Sequence, residues 1–209
     1  QQLRAYPGQD VAQKLANPVF HIHGHNVPGS NMVVSFAMLL NLASVAHAED
    51  KAALWGFIQR YAPDASPETH PDLDAAAGFA VRYYNDFVKP TKVFRAPTDQ
   101  ERAAMEELSA CLGDADKALN VIARKNAQEG KDADLPEVDW QDEEFLQSVV
   151  FAIGKTHGFE PLRAWFSALY EVLMGASQGP RFGGFIALYG IEETRALIAD
   201  GLAGRLMAD

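Results

Sequence analysis

Apolar residues recur along most of this chain at the three-and-four spacing of a helix buried along one face. Phe36, Leu39, Leu40 and Ala43 follow it, as do Leu54, Phe57, Ile58 and Tyr61. Ser66 followed by Pro67 predicts the start of a longer helix, because a proline at the first helical position gives up only an amide that has no partner there. Its apolar face is Leu73, Ala76, Ala77, Ala80, Tyr84, Phe87 and Val88, and Pro90 ends it. Thr98 and Glu101 have the spacing of a capping box, in which each side chain accepts from the other residue's backbone amide. The helix they open buries Met105, Leu108 and Leu112 and stops at Gly113.

A weaker helical pattern runs from Asp114 to about Gln128 on Leu119, Ile122 and Ala123, and Glu129 to Asp134 reads as an exposed loop. Asp139 reads as the cap of a helix carrying Phe145, Val149, Ala152 and Ile153. Three more helical patterns follow, over Leu162 to Leu173, Phe182 to Tyr189 and Glu193 to Leu206. Only Asn17 to Val34, where valines alternate with prolines and glycines, reads as extended. The expectation is an all-α fold, a helical bundle or cage of eight to nine helices. It divides into a connector and irregular lead-in (1–33), a first helical subdomain (34–113), an acidic linker and helix (114–138) and a C-terminal helical cage (139–209).

Composition narrows the classes. No apolar run reaches the ~18 residues of a membrane-spanning helix, and the longest candidate, Met32 to Ala48, is broken by Ser35, Asn41, Ser44 and His47. The first residues show no basic segment leading into an apolar one, as a secretory signal would. Cys111 is the single cysteine, which rules out an intramolecular disulfide and points to a reducing, cytoplasmic setting. A first residue other than Met suggests a processed or excised chain. The net charge of −10 speaks against a polyanionic partner until its distribution is examined. Asp99 to Glu144 holds fourteen acids against five bases, so this one stretch accounts for nearly all of the excess. A basic surface elsewhere is therefore allowed.

Five sets of residues are to be weighed for chemistry. His21, His23 and His25 would share one face of an extended segment and could hold a divalent metal; bonding to loop backbone is the alternative. Glu68 and His70 have the wrong spacing for a helical metal site, and His157 reads as a helix end with Gly158 in the left-handed position. Gly179-Pro180-Arg181-Phe182-Gly183-Gly184 lacks the Lys-Ser/Thr ending of a phosphate loop, yet it sets Arg181 and Phe182 beside backbone at a helix start. That suits a phosphate or a stacked base, and equally a tight turn between packed helices. Arg82-Tyr83-Tyr84 with Lys89, Lys92, Phe94 and Arg95 interleaves bases with rings, as a single-strand RNA surface does. Its alternative is a solvated helix face on which Asp86 pairs with Arg82 and Lys89. No nucleophile, base and orienting acid come together, so the residues favour binding over catalysis.

Longer blocks say more. Asn17-Pro18-Val19-Phe20-His21-Ile22-His23, Val34 to Leu42 and Gln178 to Gly190 resemble the C-terminal portion of class I lysyl-tRNA synthetases. Leu54 to Pro63, Tyr83 to Pro90 and Trp165 to Leu173 fit the same family in the same order. The resemblance implies a parent enzyme that joins lysine to its tRNA with ATP and Mg in an N-terminal catalytic domain. About the first 60% of such an enzyme, with both nucleotide-binding motifs, lies outside this chain. The chain alone is then expected to be inactive, to need no cofactor or metal, and to act as a monomer. It would read the anticodon of lysine tRNA, with neither DNA nor membrane as partner. Arg181, Phe182 and Gly179 in the glycine loop, with Lys89, Lys92, Arg95 and Lys155 on phosphates, are the candidate contacts. A freestanding helical interaction module without RNA binding is the second reading, and a metal enzyme built on the histidines the third.

Overall fold

Acidic and hydroxyl side chains set where most of the helices begin. The computed structural model describes residues 6–23, 32–46, 50–131 and 135–207. Among these the chain forms α-helices, short 3₁₀ segments and one π-turn, with no strand. The helices are α1 (Val11–Ala16), α2 (Pro18–His23), α3 (Phe36–Val45), α4 (Lys51–Tyr61), α5 (Pro71–Tyr83), α6 (Asp99–Cys111), α7 (Ala115–Gln128), α8 (Glu143–Thr156), α9 (Arg163–Leu173), α10 (Phe182–Tyr189) and α11 (Ile191–Leu202). Asp10, Ser35, Asp50, Asp114 and Asp142 each accept from a first-turn amide. The box at Thr98 and Glu101 is present in both directions, at 3.3 and 2.8 Å.

Several boundaries differ from the sequence reading, each for a local reason. Asn17 to Val34 is not all extended: Pro18 opens α2, and the Asn17 side chain accepts from the Val19 amide at 3.0 Å. Ser66 does not start α5. Its hydroxyl accepts from Thr69 N while Thr69 Oγ1 accepts from Ser66 N, closing a separate turn. The helix starts instead at Pro71, whose missing amide fits a first turn but would break a helix already running. The cap of α8 is Asp142, and Asp139 caps a tight turn on Gln141 N at 2.8 Å. Pro90 lies inside a 3₁₀ turn, Lys89–Thr91, that follows a π-turn over Tyr84–Val88.

Buried side chains fall into two clusters. One gathers Leu39, Leu42, Leu54, Ile58, Leu73, Ala77 and Tyr84 from α3, α4, α5 and the π-turn that follows it. The other surrounds α8, with Met105 and Leu108 of α6, Ile122 of α7, Trp165 and Leu169 of α9 and Ile198 of α11. The change from one cluster to the other falls between α5 and α6. Helix α10 joins them: Phe182, Phe185 and Ile186 belong to the second cluster and Leu188 to the first. It packs on α3 and α4 on one side and on α8 on the other. The glycine-rich segment therefore sits at the junction of the molecule.

Candidate nucleic-acid interface

The glycines before and within α10 are set by packing. A Cβ on Gly183 would lie 2.5 Å from the Glu143 carbonyl oxygen and 2.7 Å from Gln147 Cα, so α10 crosses α8 backbone to backbone. Its amide donates to Gln147 Oε1 at 2.8 Å. A Cβ on Gly179 would meet Asn41 Nδ2 at 2.7 Å, and the Tyr170 ring closes the same space. The Tyr170 hydroxyl donates to the Pro180 carbonyl, and its burial pushes that phenol well above the usual range. Phe182 is fully buried, edge-on to Tyr170 at 5.8 Å and tilted against Phe185 at 5.4 Å. The ring is a core residue and is not presented to a base, which corrects the stacking role expected for it. Arg181 remains at the surface, 59% exposed, with both terminal nitrogens on Glu144. The segment is thus the tight-turn alternative, with one ion-paired arginine on its outer side.

A second group forms where α5 ends. Lys92 Nζ donates to the Ser44 carbonyl at 3.0 Å and lies over the rings of Tyr84 and Phe94, at 5.4 and 4.9 Å. Burial, with Lys89 alongside, pushes this amine down to about 8. Arg95 is enclosed by carboxylates: Nη1 and Nη2 donate to Glu101 at 2.7 and 2.8 Å, and Nε donates to Glu171 at 2.6 Å. Glu101, with Glu171 behind it, holds the guanidinium more firmly charged than usual and neutralises it. Arg95 therefore braces α6 against α9. Lys92 and Arg95 line a groove of about 540 Å³ with Val93, Glu171 and the turn at Gly175, and Val93 N donates to the Gly175 carbonyl at 3.1 Å. Lys89 is exposed, and among the described residues neither it nor Arg82 makes an ion pair. The expected pairing of Asp86 with both is not present.

The remaining candidates stand apart. Lys155 is in the last turn of α8, with its amine 5.9 Å from the Phe151 ring, and Lys125 reaches the same ring at 5.8 Å. Arg181 contacts Glu144 in the first turn, so these two cations are separated by most of that helix, about 16 Å. His21 and His23 lie in α2, where a spacing of two turns side chains about 200° apart. The shared face that a metal would need is lost, and His25 lies outside the described residues.

Over its whole length, this chain matches a lysine–tRNA ligase of Roseobacter denitrificans at 60% identity across 209 residues, 35% of that protein. The chain is similar to lysine–tRNA ligases throughout. The same name is carried by a protein of Rickettsia conorii, 39% identical over 191 residues (91% of this chain, 32% of that one). A Rickettsia akari lysine–tRNA ligase is 40% identical over 195 residues, 93% of this chain and 33% of its own. The chain thus spans about a third of the length of these relatives. No protein-family model matches it, and no solved structure does.

The stretch shared with the Roseobacter lysine–tRNA ligase includes four exposed rings, of which the sequence reading had only Tyr83 in a candidate surface. Phe79, Tyr83 and Phe87 are 57%, 47% and 62% exposed, and Phe36 beside them is 41% exposed. Tyr83 meets Phe87 at 5.2 Å and Phe36 at 6.5 Å, and Arg82 lies over Phe79 at 5.0 Å. Helical periodicity places Phe87 on the buried face, and the structure exposes it. The available signal was a second apolar stripe, spaced by four, on a helix whose other stripe (Leu73, Ala77, Ala80, Tyr84) already fills the core. Among the described residues no helix is long and apolar enough to cross a membrane, and no three His, Cys, Asp or Glu side chains cluster for a metal.

Proposed function

We propose that this chain is the C-terminal, tRNA-binding helical portion of a class I lysine–tRNA ligase, working on the anticodon end of lysine tRNA. The parent enzyme joins lysine to that tRNA in the cytoplasm, using ATP and Mg in a catalytic part outside these residues. The observation that carries the reading is 60% identity to a lysine–tRNA ligase across the whole chain. The sequence holds neither nucleotide-binding motif, so the role left to it is recognition. Unpaired anticodon bases are held by rings and hydrogen bonds, and their phosphates by Arg and Lys. The cations at the end of α5, Lys89 and Lys92 with Arg82 nearby, supply the phosphate side. Arg181 and Lys155 are secondary contacts at the two ends of α8. The chain acts as a monomer and requires no cofactor for binding.

The test is a titration of lysine tRNA into the 209-residue chain at low and moderate salt, with glutamate tRNA as competitor. The expected result is preference for lysine tRNA, weakening as salt rises because bound counterions are released. Lys89→Ala reduces that affinity, and Arg181→Ala reduces it less, since Glu144 already neutralises Arg181. ATP–pyrophosphate exchange with lysine is absent from the chain alone. Equal or absent binding of the two tRNAs would overturn the reading and leave a helical interaction module.

A further inference from the structure

We propose that Phe79, Tyr83, Phe87 and Phe36 form a stacking face for unpaired nucleotides of a single RNA strand, with Arg82 and Lys89 holding its phosphates. The proposal rests on the tRNA-binding reading and assigns a surface to it. Three independent features of α5 and its π-turn carry it.

The first is alignment. Residues four apart on an α-helix rise about 6 Å and drift by about 40° around the axis, so three such rings would spiral off one face. At Tyr84–Val88 the helix widens to a π-turn, and the Lys89 amide donates to the Tyr84 carbonyl five residues back. A wider turn rotates less per residue and brings Phe87 back towards the line of Phe79 and Tyr83, while Tyr84 stays in the core. Such turns recur at functional sites.

The second feature is composition: every large hydrophobic exposed on α5 and its π-turn is aromatic. Rings accept any base on their faces, and stacking needs little else. The third is charge. Residues 79–92 hold Arg82, Lys89 and Lys92 against the single acid Asp86, a positive island on a chain of net −10. Elsewhere most bases are tied to carboxylates, as Arg60, Arg95, Arg124, Arg181, Arg195 and Arg205 are. Beside these rings Arg82 and Lys89 carry no ion pair among the described residues. A ring stripe flanked by uncompensated cations complements a polyanion that bears flat bases, better than it does the acid-rich surface of a copy of this chain.

The experiment uses the intact 209-residue chain, a short labelled oligouridine, and the same sugar–phosphate strand without bases. Wild type is compared with the double variant Phe79→Leu, Phe87→Leu, which keeps apolar area at two exposed positions but removes the rings, and with Lys89→Gln. The expected result is oligouridine binding that the abasic strand does not reproduce and that the double leucine variant weakens about tenfold or more, with the helical circular dichroism unchanged. Equal affinity of wild type and leucine variant overturns the proposal and leaves the face to a protein partner. Equal affinity for the abasic strand, or no oligouridine binding by wild type, overturns it as well. The lysine tRNA competition is run on the same proteins. Ring-dependent oligouridine binding without tRNA preference removes only the tRNA reading, and tRNA preference that survives loss of the rings removes only the stacking face.

Discussion

Lys92, just past the end of α5, and Glu101, in the first turn of α6, are shifted by different causes, the amine by burial and the carboxyl by Arg95. Lys92 has its amine pushed down from 10.5 to about 8, so between those values the unfolded chain binds more protons than the folded one. Stability should therefore rise with pH above about 8, as the buried amine is released from carrying charge. Urea midpoints followed from about pH 7 to about pH 10 should show that rise, and Lys92→Met should remove it. Above about 10 the buried phenol of Tyr170 acts in the other direction, because the unfolded chain loses that proton first. Glu101 is the converse of Lys92. Arg95 holds its carboxyl below the usual 4.5, so its contribution is present above that value and fades as pH falls. Removing the guanidinium leaves a buried carboxylate short of two donors. Arg95→Ala should cost ~1–3 kcal/mol in urea unfolding and flatten the loss of stability below pH 4.5.

At the scale of elements, the crossing of α8 and α10 depends on the absence of a side chain. Gly183→Ala would place a methyl against the backbone of Glu143 and Gln147, and neither can move without displacing its own helix. The expected cost is ~1–3 kcal/mol or more, as for other overpacked contacts. Gly78, in α5, has nothing within 4 Å of where a Cβ would stand. Gly78→Ala should stabilise by about 0.8–1 kcal/mol, the helix propensity difference. Measured side by side in urea, the two glycine substitutions should thus have opposite signs. A Gly183→Ala as mild as an open helical site would show that α8 and α10 lie further apart.

For the whole molecule, binding should follow the few uncompensated cations and not the net charge. If Arg82, Lys89 and Lys92 each meet a phosphate, the logarithm of affinity for single-stranded RNA should fall with the logarithm of salt with a slope of about −2. Lys89→Gln should reduce that slope by about 0.7, and Arg181→Ala should change it less. A slope that follows Arg181 or Lys155 instead would move the interface to the ends of α8. The acidic segment from Asp99 to Glu144 would then confine the strand, by repulsion, to the remaining surface.

Helix content, the cap at Thr98 and much of the buried faces were legible in the sequence because they are local. The Thr98–Glu101 box, the left-handed Gly158 after α8 and the core positions Leu39, Leu54, Met105 and Val149 need only near neighbours to be recognised. Boundaries slipped where two local signals competed, as at Ser66 and Pro71. The surface was less legible because its partners are distant in sequence. Arg95 looks like a free cation until Glu171, 76 residues on, closes over it. Phe182 looks like an exposed ring beside glycines until Tyr170 and Phe185 enclose it. Gly183 looks like part of a ligand loop or of a tight turn alike until Gln147, 36 residues earlier, arrives against its backbone. Periodicity and capping therefore determined which segments are helical. Only the packing of those helices decided which rings and cations remain at the surface, because burial and ion pairing arise between segments that the chain order keeps apart.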